Sequence, residues 1–225
     1  MHAYDVIIPA RNEALTIAAV VAAARSSRAG RVLVIDDHST DGTAAIAAAA
    51  GAEVVTSRGK GSKALALATG VAHTTSDVLV FFDADISGVT PQHFDRLAAP
   101  VLERGFAMSC GMLDYGWRSR LYLRLPPITG LRAVRRDVFN GIPESKLNGF
   151  QIEIMINEVV ARGSMPSAIT VLRGTAHRTK LAKLGLVRGM RAHLSMTAEL
   201  LHCLTFVPLW TYRSYLSNLT ILGSD

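Results

Sequence analysis

The sequence is poor in cysteine and in charge, and it has no long apolar run. Of 225 residues two are cysteine, Cys110 and Cys203. They show no metal-ligand spacing and make no disulfide framework, so a thiolate metal centre and a stapled secreted scaffold are excluded. A reducing compartment is expected. Charged residues make up only 19% against 49% hydrophobic, which excludes a disordered chain. Met1-His2-Ala3-Tyr4-Asp5 leads straight into Val6-Ile7-Ile8 without a basic region or cleavage site, so no secretory leader is expected. No stretch reaches the roughly 18 uninterrupted apolar residues of a spanning helix. The nearest, Leu200 to Trp210, is broken by His202 and Pro208.

What is present is enough for a large hydrophobic core. The length suits one large domain, or a domain with a small appendage. Mean hydropathy is +0.27, high for a freely soluble enzyme. Lys and Arg number 24 against 18 Asp and Glu, a net charge of +6. That surplus points to anionic partners: phosphates, nucleic acid or an acidic membrane surface.

The first half alternates short apolar runs with alanine-rich helical stretches. Strands are predicted over 4–9, 31–36, 53–55 and 78–82, with helices over 13–25, 43–50 and 62–72 between them. Continuous apolar strands separated by helices imply an α/β fold with a parallel sheet. Ligands bind beyond the carboxyl ends of such strands. The second half suggests a strand over 105–114, an element starting over 134–139, a helix over 152–161 closed by Gly163, and a last strand over 168–172.

Polar residues follow each early strand. Pro9-Ala10-Arg11-Asn12-Glu13 follows the first, and Asp36-Asp37-His38-Ser39-Thr40-Asp41-Gly42-Thr43 the second. Asp83-Ala84-Asp85 follows the run Val78 to Phe82. Two carboxylates one residue apart suit Mg²⁺ or Mn²⁺, hard cations that take oxygen ligands. Acids at strand ends are also ordinary helix caps, and Ser39, Thr40 or Asp41 could cap the alanine helix.

Taken together and in order, Pro-x-x-Asn-Glu, Val-x-Asp-Asp-x-Ser-x-Asp-Gly-Thr, a lysine-bearing helix and Asp-x-Asp resemble the nucleotide-binding half of family 2 glycosyltransferases, from about Val6 to Ile86. The resemblance implies a GT-A fold, a nucleotide-sugar donor and a divalent metal. By this resemblance Pro9, Ala10, Arg11 and Glu13 line the nucleoside pocket and Asp37 meets the base. Asp83, with Ala84 beside it, reaches ribose or metal, and Asp85 is the principal metal ligand and a catalytic residue. His38 stands where the family often has glycine, and its imidazole is expected to face solvent. The family's lysine has Ala-Leu three and four residues on and Gly seven on. Lys63 meets that pattern with Ala66, Leu67 and Gly70, so it is preferred to Lys60 for the donor contact.

Thr129-Gly130-Leu131-Arg132 resembles the family's segment after the acceptor loop, which makes Thr129, Gly130 and Arg132 acceptor-binding candidates. Of the cluster Arg132, Arg135 and Arg136, at least one is expected to point inward, Arg132 or Arg136. Gly149-Phe150-Gln151-Ile152-Glu153 resembles the segment whose acid enters the active site. Glu153 is therefore a catalytic candidate, a base if the acceptor is a hydroxyl; helix capping is its other reading. Gly174-Thr175-Ala176-His177-Arg178 resembles in part a segment of glucosyl-3-phosphoglycerate synthases. This implies His177 as a further metal ligand and places Arg178 at the acceptor.

The expected architecture is a GT-A domain over 1–193, with a nucleotide-sugar half at 1–86 and an acceptor half at 87–193. A C-terminal apolar helical extension is expected over 194–225. Its Trp210, Tyr212 and Tyr215 leave three roles open: packing on the core, a homodimer contact, or peripheral contact with a membrane. The activity implied is transfer from a UDP- or GDP-sugar to a small phosphorylated or polyprenyl-phosphate acceptor. The location implied is the cytoplasm, peripherally at the inner membrane face if the tail meets lipid. A sugar-phosphate nucleotidyltransferase and a non-catalytic basic module for lipid or nucleic acid are the competing readings. With the basic residues placed around a diphosphate site, no nucleic-acid partner is expected.

Overall fold

Strand β1 (Tyr4–Ala10) is covered on both faces, and its side chains divide the core in two. Val6 and Ile8 point to one layer and Ile7 to the other, all three fully buried. Each such side chain stabilises the fold by about 1.5–3 kcal/mol. The computed structural model describes residues 4–113, 129–147, 152–177, 213–214 and 216–222.

The elements follow in chain order. They are α1 (Ile17–Arg25), β2 (Ala29–Asp36), α2 (Thr43–Ala49), β3 (Glu53–Thr56), α3 (Lys63–Ala72), β4 (Val78–Phe81), β5 (Ile86–Ser87), α4 (Pro91–Arg104) and β6 (Met108–Leu113). After the next described residues come β7 (Arg132–Arg135), α5 (Arg136–Asn140), α6 (Ile152–Arg162), β8 (Ser167–Leu172), β9 (Ala176–His177) and β10 (Leu219–Leu222). Eight strands form one sheet in the order β10-β8-β6-β7-β4-β1-β2-β3. All pairings are parallel except those of β7, which runs against both β4 and β6. The strands β5 and β9 form a separate antiparallel pair.

Helix α1 buries Ile17, Val20, Val21 and Ala24, the i, i+3, i+4, i+7 stripe of a surface helix. Helix α3 starts at Ser62, whose Oγ accepts the Leu65 N–H at 3.3 Å. It lies so near the sheet that a β-carbon on Gly70 would overlap Ile7. Phe81 and Phe139 meet edge to face at 5.5 Å between ring centroids in the layer under α3 and α6.

Two elements differ from the sequence expectation. No element is read from the sequence over 91–104, yet helix α4 buries Phe94, Leu97, Ala98 and Val101 as an i, i+3, i+4, i+7 stripe, with Pro100 inside it. Its ends are marked by Pro91 at its first position and Gly105, at φ +70, beyond its last. The C-terminal extension expected to be helical ends in strand β10, which adds parallel to β8 at the sheet edge. A four-residue apolar run is ambiguous between helix and strand until a partner edge is known. Most of 194–225 lies outside the described residues.

Candidate active site

The polar segments gather along the edge formed by the carboxyl ends of the parallel strands. The loops after β1 and β2 clasp each other. Asn12, at φ +57, donates its N–H to Ser39 Oγ at 3.0 Å and accepts the Thr40 N–H on Oδ1 at 2.9 Å. The Glu13 N–H donates to Thr43 Oγ1 at 2.8 Å, and Asp41 accepts the N–H groups of Ala14 and Thr43, both at 3.1 Å. Asp41 thus serves the start of α2, while Gly42 adopts the positive φ just before the helix. Pro9 and Ala10 end β1, and the Ala10 carbonyl accepts the Asp37 N–H at 2.8 Å.

Asp37 joins three loops. Its buried carboxylate accepts the Gly61 N–H at 2.8 Å and pairs with Arg11 Nη1 at 3.6 Å. Gly61, at φ +76, takes a conformation that a side chain would strain. His38 is exposed, as expected.

Lys63 is the centre of charge. Its Nζ lies 2.6 Å from Asp83 Oδ1 and 2.9 Å from Glu153 Oε1, which bridges α3, the end of β4 and the first turn of α6. A cation at a helix N-terminus opposes the helix dipole, and two carboxylates offset that cost. Burial alone would lower the Lys63 pKa. Asp83 and Glu153 outweigh burial and raise it above the ordinary lysine value. For Glu153 burial alone would raise the carboxyl. Lys63 and then Arg132 overcome it and hold Glu153 below its ordinary value. Lys60 is exposed. The structure therefore brings Lys63, not Lys60, to the acids, and it makes Glu153 an ion-pair partner in the site more than a cap.

Gly130 presses on this cluster. A β-carbon there would overlap Asp83 Oδ2 and Lys63 Nζ. The Thr129 hydroxyl accepts the Leu131 N–H at 3.2 Å, and its carbonyl accepts Arg132 Nε at 2.6 Å. Arg132 points inward, as expected of it or Arg136. It is 1% exposed, and its Nη1 donates to Asn157 Oδ1 at 2.7 Å. It supports Thr129 and Asn157, and its charge acts on Glu153. Arg136 also points inward and donates to the carbonyls of Ser76, Val71 and Thr74. Arg135 is turned to Asp137 in an exposed pair.

Asn157 was missed in the sequence. It stands four residues after Glu153, hence on the same face of α6. The i, i+4 spacing from Glu153 was the available signal.

Beyond Asp83 come buried Ala84 and half-buried Asp85. The β5–β9 pairing sets His177 opposite Ile86, one residue past Asp85. Asp83 is engaged by Lys63, and Asp85 is the residue that the sequence offered as the principal metal ligand. A carboxylate oxygen beside a histidine position is a donor set that fits Mn²⁺ or Mg²⁺. Among the described residues no group of three or more His, Cys, Asp or Glu side chains is gathered at metal-binding range. Arg178, Gly149, Phe150 and Gln151 lie outside the described residues.

The family model for glycosyl transferase family 2 matches residues 5–143, more than half of the chain. The chain belongs to that family. An uncharacterised glycosyltransferase of Mycobacterium tuberculosis is 30% identical over 178 residues, covering 71% of this chain and 80% of the relative. Glucosyl-3-phosphoglycerate synthase of Mycolicibacterium smegmatis is 34% identical over 111 residues, 44% of this chain and 36% of that one. Among solved structures, glucosyl-3-phosphoglycerate synthase from Mycobacterium tuberculosis, with Mn²⁺, UDP-glucose and phosphoglyceric acid, superposes with a TM-score of 0.66 at 26% identity. That match covers 79% of this chain and 72% of the other. The same enzyme with Mn²⁺, UDP and phosphoglyceric acid gives a TM-score of 0.69 at 25% identity, covering 92% and 80%. The fold is GT-A and the chain is a glycosyltransferase. The nucleotidyltransferase and the non-catalytic module give way to it. No helix among the described residues is long and apolar enough to cross a membrane.

Proposed function

We propose that this glycosyltransferase moves a sugar from a UDP-sugar, bound with Mn²⁺ or Mg²⁺, to an acceptor that carries a phosphate group. The observation that carries this reading is Lys63 held between Asp83 and Glu153 under Gly130, at the carboxyl edge of the sheet. Similar structures that bind UDP-glucose, Mn²⁺ and phosphoglyceric acid support UDP over GDP, and a small phosphorylated acceptor over polyprenyl phosphate.

In this reading Pro9, Ala10, Arg11 and Glu13 line the nucleoside pocket. Asp37, pinned by Gly61 and Arg11, presents its remaining lone pairs to the base. Asp83 and Ala84 reach the ribose side. Asp85 and His177 would hold the metal, which when bound neutralises charge on the diphosphate leaving group. Thr129, Gly130 and Arg178 are assigned to the acceptor side. Glu153 acts electrostatically. A carboxyl held below its ordinary value by two cations is a weak base, and it fixes the Lys63 ammonium beside the donor.

Titration of UDP, GDP, CDP and dTDP into the full chain, with and without Mn²⁺, tests the donor site. Metal-dependent binding of UDP in preference to the others is expected. Absence of any metal-dependent nucleotide binding would refute the proposal. Asp85→Ala should abolish turnover with the fold intact, and normal turnover would remove its metal role. Screening UDP-sugars against phosphorylated small molecules and polyprenyl phosphate then separates the two acceptor classes.

A further inference from the structure

His93 takes no part in the site described above, yet it is buried at 6% exposure and both ring nitrogens are engaged. It is the third residue of α4. Its Nδ1 accepts the Thr90 N–H at 3.0 Å, which leaves the proton on Nε2. Nε2 then donates to the Arg173 carbonyl at 2.9 Å, eighty residues further along the chain. Capping Thr90 alone needs one acceptor, which Glu or Gln supplies at this position of a capping box. An imidazole adds a second, opposite end, and that end holds the turn between β8 and β9.

The same two segments meet at three further points. A β-carbon on Gly88, at φ +73, would overlap the Gly174 carbonyl oxygen. Ser87 Oγ donates to the Ala176 carbonyl at 3.0 Å. Ile86 pairs with His177 and Ser87 with Ala176. Two residue pairs are far too few to hold a ribbon by themselves. Ties outside the ladder therefore decide whether β9 keeps its register beside Asp85.

We propose that His93 is a positioning residue for the cation site: it anchors the Arg173–Gly174 turn and so sets where β9 delivers His177 relative to Asp85. The proposal rests on the reading of Asp85 and His177 as metal ligands. Its logic is that of outer groups which orient a ligand without touching the ion.

The test is Mn²⁺ titrated by calorimetry into the full chain with UDP present, alongside amide exchange. His93→Phe keeps the bulk and removes both hydrogen bonds. It should weaken Mn²⁺ affinity roughly tenfold, the lower end for such outer groups, and speed exchange in residues 173–177 while β1 and β2 stay protected. His93→Gln, which can donate and accept, should recover part of the affinity. In a His177→Ala background the His93 change should have no further effect on Mn²⁺ affinity, because the ligand it positions is gone. Unchanged affinity in His93→Phe, or an equal loss in both backgrounds, overturns the proposal. Gly88→Ala strains the same junction from the other side and should reproduce the loss if His93→Phe does not fold; an unaltered Mn²⁺ affinity there counts against it. If the unmodified chain binds no Mn²⁺ with UDP, the donor-site reading itself has failed, and that is seen before any variant is made.

Discussion

Gly130 leaves Asp83 the room it occupies. The absent side chain is what allows the turn before β7 to lie on the Asp83–Lys63 pair. Gly130→Ala should displace the acid and the ammonium together. Misplacement on the ångström scale costs about a hundredfold in rate, so turnover of a UDP-sugar should fall by that order. Circular dichroism should be unchanged, since the turn is at the sheet edge.

Lys63→Met should leave two carboxylates facing one another without their cation. The penalty is about 3 kcal/mol at neutral pH, the cost of breaking one side of a buried pair. With Lys63 gone, burial pushes Glu153 up and only Arg132 opposes it. A carboxyl with a raised folded value gains stability as pH falls, while the native one, held low, loses its contribution on acidification. The deficit of the variant should therefore narrow between about pH 7 and pH 5. Urea unfolding at both values measures it, and a deficit that grows on acidification would contradict the assignment.

Asn157→Leu should remove the acceptor that Arg132 Nη1 uses at 2.7 Å. A lost partner for a buried charged donor costs about 1–3 kcal/mol. Asn157→Asp should instead draw the Arg132 charge toward a new carboxylate and away from Glu153. Glu153 would then titrate at higher pH than in the native chain, which carboxyl-selective NMR would report.

Arg136→Lys should destabilise the fold without touching nucleotide binding. The guanidinium serves three carbonyls, of Ser76, Val71 and Thr74, which close the link from α3 to β4. An ammonium cannot reproduce that fork. A loss of about 2 kcal/mol in chemical unfolding, with unaltered UDP affinity, is expected.

The legible parts of the sequence were those where one residue type repeats or a spacing is shared by a family. The strands β1, β2 and β4 are legible because a strand buried on both faces reads as one apolar run. Lys63 was separable from Lys60 by the residues that follow it, and only the structure shows that its partners are Asp83 and Glu153. Of the arginine cluster, Arg132 and Arg136 were expected to supply an inward residue and both do, but the partners that enclose them are visible only in the structure. Asn157 and His93 were not read from the sequence: each is one of several polar residues in its helix, and its partner lies 25 or 80 residues away. Helix α4 was hidden by Pro100, and β10 had no pattern to separate it from the apolar tail.

Among the described residues, strand β7 is the one strand of the main sheet that runs backwards, and this inverts the usual relation between a strand and its working loop. Its parallel neighbours contribute the residues that follow them. Strand β7 contributes Thr129 and Gly130, which precede it, because its first residue, Arg132, lies beside Phe81 at the end of β4. The chain leaves β6 at Leu113 and returns at Thr129 on this same rim. Substitutions at Thr129 and Gly130 therefore act on the same rim as the loops after β1, β2 and β4, although they sit at the opposite end of their own strand.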